Sequence, residues 1–281
     1  MLDAENMTLC SAALMPDPLR VRAEGLGIQV EAAAAAGFTG ISLWALHADA
    51  AAVGGHSREA VRDMVLAAGL TVRMVEAILP FEMPDDRTAL AAAEPVFVMA
   101  EEFDAPNVSA VSMAGPADPK AIGARLRALC RLAADYGLTV LIEFLPWSAI
   151  PDLATAAQVL DTAACDNAGL VFDAWHWQRQ PGGPCPDVLR DFPPELIRVF
   201  QICDAAPTPD GSPLQECMAK RALPGQGCVD FAELLTLFDE IKAHPLLAPE
   251  VFNPQLLKGG PYAAATAIAA ATRRVVGSTG V

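Results

Sequence analysis

Two hydrophobic rhythms alternate along this chain. Short, mainly apolar runs recur, unbroken at Gly169–Phe172, and each is followed by a longer stretch whose apolar residues return every three or four positions. An unbroken run suits a strand covered on both faces, as in a parallel sheet. The slower rhythm is that of a helix with one buried stripe. Strands are predicted at Met7–Leu14, Gly40–Trp44, Leu70–Ala77, Asn107–Met113, Leu138–Phe144, Leu170–Asp173, Ile197–Ile202 and Leu246–Phe252.

Helices are predicted between them. Leu19–Ala36 carries Leu19, Ala23, Leu26, Val30 and Ala33 on one face, with Gly25 and Gly27 weakening its first half. Ser57 caps a helix that buries Val61, Met64, Val65 and Ala68 and stops at Gly69. Another covers Thr88–Glu102. Asp118 and Pro119 open the clearest one, with Ile122, Leu126, Leu129 and Ala133 inward and Gly137 as the stop. Asp152 caps a helix reaching Ala163, and Asp187–Asp191 is a short one. Asp230 caps a helix with Phe231, Leu234, Leu235, Phe238 and Ile241 inward, and the last runs from Pro261 to Val275. The irregular stretch Asp204–Gly227 is long enough to read as a functional lid.

Strand then helix, about eight times in 281 residues without a linker, predicts a single (β/α)₈ TIM-barrel domain over residues 1–281. A hydrophobic share of 53% is enough for one large core. The net charge of -15 would repel a phosphate backbone, so no nucleic-acid partner is expected. Seven cysteines, odd in number and without CxxC spacing, read as reduced thiols of a cytoplasmic protein. The acidic start Met1–Asn6 does not resemble a secretory leader, and Ala32–Ala36 is too short to span a membrane. Nothing in the pattern bars a homo-oligomer.

Chemistry concentrates where the strands end. Gly169–Phe172 is apolar, then Asp173 and His176 follow, flanked by Trp175 and Trp177. The plain alternative is a strand cap with a loop histidine. The arrangement recurs, however: Glu143 ends the fifth strand, Gln201 lies in the seventh and Glu250 in the eighth. In a barrel such side chains converge at the top of the lumen. Three carboxylates there would repel one another, and a divalent cation would relieve that. An oxygen-only set of Glu143, Asp173, Gln201 and Glu250 favours Mg²⁺ or Mn²⁺ over Zn²⁺. The same four residues would also serve as unconnected capping polars. Of the four tryptophans, Trp44, Trp147, Trp175 and Trp177, three lie just after these strand ends, and they suit walls for the apolar face of a sugar or a ring substrate, or plain packing. Glu76 ends the third strand as a supporting or surface residue, and His47, His56 and His244 are assigned to loops and surface. No lysine ends a strand, which disfavours a Schiff-base aldolase; Lys220, beside Arg221 in the lid, is placed to meet a phosphate or carboxylate.

Several segments together carry a resemblance. Ala36-Gly-Phe-Thr-Gly-Ile-Ser-Leu-Trp44, Ile142-Glu-Phe144, Leu170-Val-Phe-Asp-Ala-Trp-His176, Phe200-Gln-Ile-Cys-Asp204, Arg221-Ala-Leu-Pro-Gly-Gln-Gly227 and Pro249-Glu-Val-Phe252 resemble, in order and spacing, the xylose isomerase-like barrels called sugar phosphate isomerases/epimerases. The resemblance covers nearly the whole chain. It implies metal ligands at Glu143, Asp173 and Glu250, with Gln201 where many members have histidine. It implies substrate contacts at His176, Arg221 and Trp175, and a small carbohydrate-like substrate. It further implies proton transfer next to a carbonyl, with Glu143 and Glu250 as the acid–base pair and His176 polarising or relaying. A dehydratase of the inosose or 3-dehydroshikimate kind, or a non-catalytic ligand-binding barrel, is the alternative.

Overall fold

The structure is a computed structural model that describes residues 2–19, 25–82 and 85–277. Eight strands form one parallel sheet in chain order: β1 (Thr8–Cys10), β2 (Gly40–Trp44), β3 (Thr71–Ile78), β4 (Asn107–Val111), β5 (Thr139–Glu143), β6 (Ala168–Asp173), β7 (Ile197–Ile202) and β8 (Leu246–Pro249). Met7 bridges to Leu247 in parallel register and so joins the two edges into a barrel. Around it lie α1 (Leu26–Ala35), α2 (Ala45–Val53), α3 (Arg58–Ala67), α4 (Asp86–Glu102), α5 (Pro119–Ala134), α6 (Leu153–Ala163), α7 (Ala174–Arg179), α8 (Pro186–Arg190), α9 (Pro213–Ala219), α10 (Phe231–Ile241) and α11 (Pro261–Gly277).

Strand side chains alternate between the two faces of a sheet, and that period positions the site. Met74, Leu141, Val171, Val199 and Ala248 form an apolar cluster of their own, one residue from each of five strands, which fills the lumen. The residues after the first four, Val75, Ile142, Phe172 and Phe200, face outward and join the larger core between sheet and helices. There Phe172 meets Phe238 edge-on at 5.3 Å and Phe144 at 5.7 Å. One residue further, the chain points inward again, above the lumen plug. Those positions are Glu76, Glu143, Asp173, Gln201 and Glu250.

The predicted caps hold: Ser57, Asp118, Asp152 and Asp230 each accept a hydrogen bond from a backbone N–H of the helix that follows, and Asp85, not expected from the sequence, does the same for α4. Other expectations need correction. The first strand ends at Cys10, and Ser11–Leu14 turns into a buried 3-10 helix. The first helix starts at Leu26, after Gly25 at φ +122°, a backbone position that side chains resist. Leu19 is exposed, and Ala23 lies outside the described residues. The eighth strand ends at Pro249, leaving Glu250 just beyond it. Helices α2 and α7 are too short and too apolar in sequence to stand out from the strands they follow.

The stretch 204–227 is not a loose lid. It contains α9, opened by a reciprocal capping box between Ser212 and Gln215. Glu216 on α9 is buried, accepts Arg179 at 2.6 Å and also accepts the Asp210 N–H. No helix of the described residues is long and apolar enough to cross a membrane.

Candidate active site

The strand register sets the floor of the site. Asp173 pairs with Gln201 across β6 and β7, and Trp44 with Glu76 across β2 and β3. Asp173 is fully buried. Its Oδ1 caps α7 by accepting the His176 N–H at 2.8 Å, and its Oδ2 accepts Arg221 Nη1 at 2.6 Å. One carboxylate therefore fixes both the imidazole-bearing helix and the guanidinium. His176 Nε2 lies 3.3 Å from Glu143 Oε1, while its Nδ1 has no hydrogen-bond partner.

Arg221 is 1% exposed. Its Nε donates to the Cys217 carbonyl at 3.0 Å and its Nη2 to the Cys217 sulfur at 3.0 Å. Nη1 also reaches the Glu250 carbonyl at 3.2 Å and lies 3.3 Å from Glu250 Oε2. The guanidinium sits over the Phe252 ring at 4.9 Å. Gln201 donates from Nε2 to Glu250 at 3.2 Å and to Glu76 at 3.3 Å, and its Oε1 is buried without a partner.

Asp204 holds the Arg221 segment in place. It pairs antiparallel with Ala222, and its buried carboxylate accepts the N–H groups of Ala205, Gly225, Gly227 and Val229 at 2.8–3.0 Å. Four oriented donors satisfy the charge and tie the chain after β7 to the Arg221–Gly227 turn.

Charge crowding shapes the ionisation here. Burial opposes a charged His176, yet Asp173, Cys217 and Glu143 outweigh it and lift its pKa to about 10. Burial raises Glu76 to about 7; the Ser42 hydrogen bond and Arg221 pull it down while Glu143 pushes it up. Burial also carries Glu250 well above the ordinary carboxylate range, against the pull of Arg221. Arg221 is opposed by burial but held charged by Asp173 and its neighbours.

Ligand-capable atoms gather in two groups, each within 4.8 Å: Glu143, Asp173 and His176, and then Cys10, Glu76 and Glu250. Arg221 spans them through Asp173 and Glu250. The donors in reach are thus not oxygen alone. An imidazole and a thiol stand among them, which shifts the expected preference for Mg²⁺ or Mn²⁺ toward Zn²⁺.

Above this floor opens a cavity of about 420 Å³. Glu143, His176, Arg221 and Glu250 line it, as does Glu76, so Glu76 belongs to the site and not to the surface. Asp173 and Gln201 lie beneath the floor, 0% and 1% exposed. Trp44 and Trp147 form walls; Trp147 meets His176 edge-on at 5.5 Å. Trp175 is fully buried behind the site, its ring near Arg221 and Arg179. His47 is also buried, stacked on Trp44 at 5.2 Å, with Nε2 2.8 Å from the Pro18 carbonyl. Lys220 pairs with Asp210 at 2.7 Å and is not part of the cavity lining.

A barrel with carboxylates, an imidazole and a buried arginine at the C-terminal ends of its strands defines a class of ligand-binding or catalytic barrel. The family comparison narrows it: the xylose isomerase-like TIM barrel model matches residues 30–274, and the chain belongs to that family. An inosose isomerase of Bacillus velezensis is 28% identical over 135 residues, 47% of this chain and 46% of that protein. The chain thus spans about half the length of the curated relatives it matches. The IolI protein, solved with a binding zinc atom, superposes with a TM-score of 0.86 at 19% identity, over 98% of this chain and 99% of that one. D-psicose 3-epimerase of Clostridium cellulolyticum, solved with D-tagatose, does so with a TM-score of 0.72 at 13% identity, over 98% and 99%. At such identities the structural likeness shows the fold.

Proposed function

We propose that the chain is an isomerase or epimerase of a hydroxycarbonyl compound, moving a proton on the carbon next to the carbonyl. The observation that carries this is the placement of Glu143 and Glu250 on the floor of one cavity, with His176 and Arg221 between them. Glu143 removes the proton, and Glu250 returns one from the other face. Burial pushes the Glu250 carboxyl upward, against the pull of Arg221, which favours the proton-bearing form that the return step needs. His176, charged with a pKa of about 10, donates a hydrogen bond to the carbonyl oxygen as negative charge builds there. Arg221 keeps Asp173 and Glu250 oriented. The apolar walls exclude water from the reacting carbon.

A divalent metal fits this donor set. Four buried carboxylates face two fixed cations, and the orphaned Gln201 Oε1 is an unused oxygen donor. Glu143, Asp173, Gln201 and Glu250 would hold the ion; His176 would join them as a nitrogen donor only on giving up its proton, which a neighbouring cation favours, and that mixture favours zinc. When bound it supplies Lewis-acid polarisation of the carbonyl.

The test is incubation with a panel of inososes and ketoses, with and without Zn²⁺ and Mn²⁺, followed by NMR of the products. An isomer or epimer of unchanged mass supports the proposal. Loss of water from the substrate would replace it with a dehydratase, and no product from the panel would favour a barrel that only binds.

A further inference from the structure

The cavity changes character from floor to mouth. Its floor is ionic, as described above, but its walls include Trp44, Trp147 and Phe252. Its edge is formed by Leu19, Leu46, Leu79, Met113 and Leu214, which are 62%, 52%, 56%, 43% and 41% exposed. These are five of the eight large apolar side chains that stand exposed among the described residues. They follow β1, β2, β3, β4 and β7, Leu46 on α2 and Leu214 on α9, so five separate segments converge on one opening. An isolated exposed leucine needs no explanation, but a collar of them round one cavity marks a binding surface.

Polar recognition is sparse above the floor. Above the floor the lining carries the Asp49 carboxylate and the Trp147 indole N–H, while Ser109 sits lower, beside Leu141 of the lumen plug. An open-chain sugar carries hydroxyls along its whole length. Each one left facing hydrocarbon without a partner weakens binding by roughly tenfold. A phosphate fares no better. The cations among the described lining residues are Arg221 and His176, and both already face carboxylates.

We infer that the substrate is a hydroxycarbonyl compound carrying an apolar group. Its carbonyl end sits on the carboxylate floor, and its apolar end is held by the leucine collar. This rests on the proton-transfer reading of the floor and adds the chemical class of the substrate.

A matched ligand series tests it: D-fructose, D-fructose 6-phosphate and 6-O-benzyl-D-fructose, with binding read by titration calorimetry. The benzyl ether is expected to bind at least about tenfold tighter than fructose, since it buries an aromatic ring against the collar. Fructose 6-phosphate is expected to bind more weakly than the benzyl ether. The benzyl gain should vanish in Leu46→Asp/Leu79→Asp. Both side chains are more than half exposed, so the core is untouched, and Leu214→Asp gives an independent variant on α9. Tightest binding by the phosphate, no binding by any of the three, or a benzyl gain that survives in both variants would overturn the inference. So would a solution dimer that dissociates in the variants, because the collar would then be covered by a second copy. The readout is binding, so ligands that bind as expected but undergo no proton transfer would count against the proposed reaction and leave this inference standing.

Discussion

Arg221→Met removes the cation on which the floor is built. The side chain is 1% exposed, and Asp173 and Glu250 are 0% and 4% exposed. Methionine fills the volume but leaves Asp173 Oδ2 without its 2.6 Å partner and Glu250 without its guanidinium. Breaking a buried ion pair by deleting one member costs about 3–5 kcal/mol. The Nε and Nη2 hydrogen bonds to Cys217 are lost as well, at about 1 kcal/mol each. An exposed pair would be worth only about 0–1 kcal/mol. Urea unfolding of metal-free wild type and variant, in the presence of chelator, separates the two cases. A loss of about 3 kcal/mol or more is expected. Adding Zn²⁺ should recover part of it, because a divalent ion can neutralise the same carboxylates. A loss below about 1 kcal/mol would refute the view that Arg221 is the buried counter-ion of this floor.

Further outcomes follow from other parts of the molecule. At Gly227 a Cβ would run into the Ala205 carbonyl oxygen and the Asp204 carboxylate. Gly227→Ala should therefore cost about 1–3 kcal/mol in unfolding experiments, and a neutral result would contradict the Asp204 turn. Burial lowers the pKa of His47 below 6.5, with the Pro18 hydrogen bond pulling the other way. Its contribution is thus fully present above the unfolded value and is lost as pH falls through 6.5, at up to about 1.4 kcal/mol per pH unit. His47→Gln should flatten that acid limb of the stability curve, and an unchanged slope would place the effect elsewhere. Titration calorimetry should show Zn²⁺ binding in wild type, weakened at least about tenfold in Glu250→Gln; equal affinity in both would remove Glu250 from the ligand set.

Much of this architecture is legible in the sequence because its signals are local. Unbroken runs such as Gly169–Phe172 coincide with strands, and Asp118–Pro119 opens a helix by chemistry that needs no tertiary context. The inward positions are legible for the same reason. Once Leu141, Val171, Val199 and Ala248 are lumen residues, Glu143, Asp173, Gln201 and Glu250 follow two residues on. The same rule applied to Met74 would have promoted Glu76 from surface to site. Pairing is what the pattern hides. Nothing near Arg221 in the chain reveals that it meets Asp173, 48 residues away. Nor does it reveal that Glu216 anchors α9 to Arg179, which turns an expected lid into a fixed wall. Burial of Trp175 behind the cavity and of His47 beneath Trp44 likewise depends on distant neighbours, Arg221 for the one and Pro18 for the other.

The central claim, a pair of glutamates exchanging a proton next to a carbonyl, is tested most directly by deuterium wash-in. Wild type, Glu143→Gln and Glu250→Gln are incubated in D₂O with an inosose and Zn²⁺, and label at the carbon beside the carbonyl is followed by NMR. Wild type should incorporate deuterium, and each variant should slow incorporation by about 10²–10⁴-fold while remaining folded. Absence of label with wild type, or equal rates in all three proteins, would contradict the account.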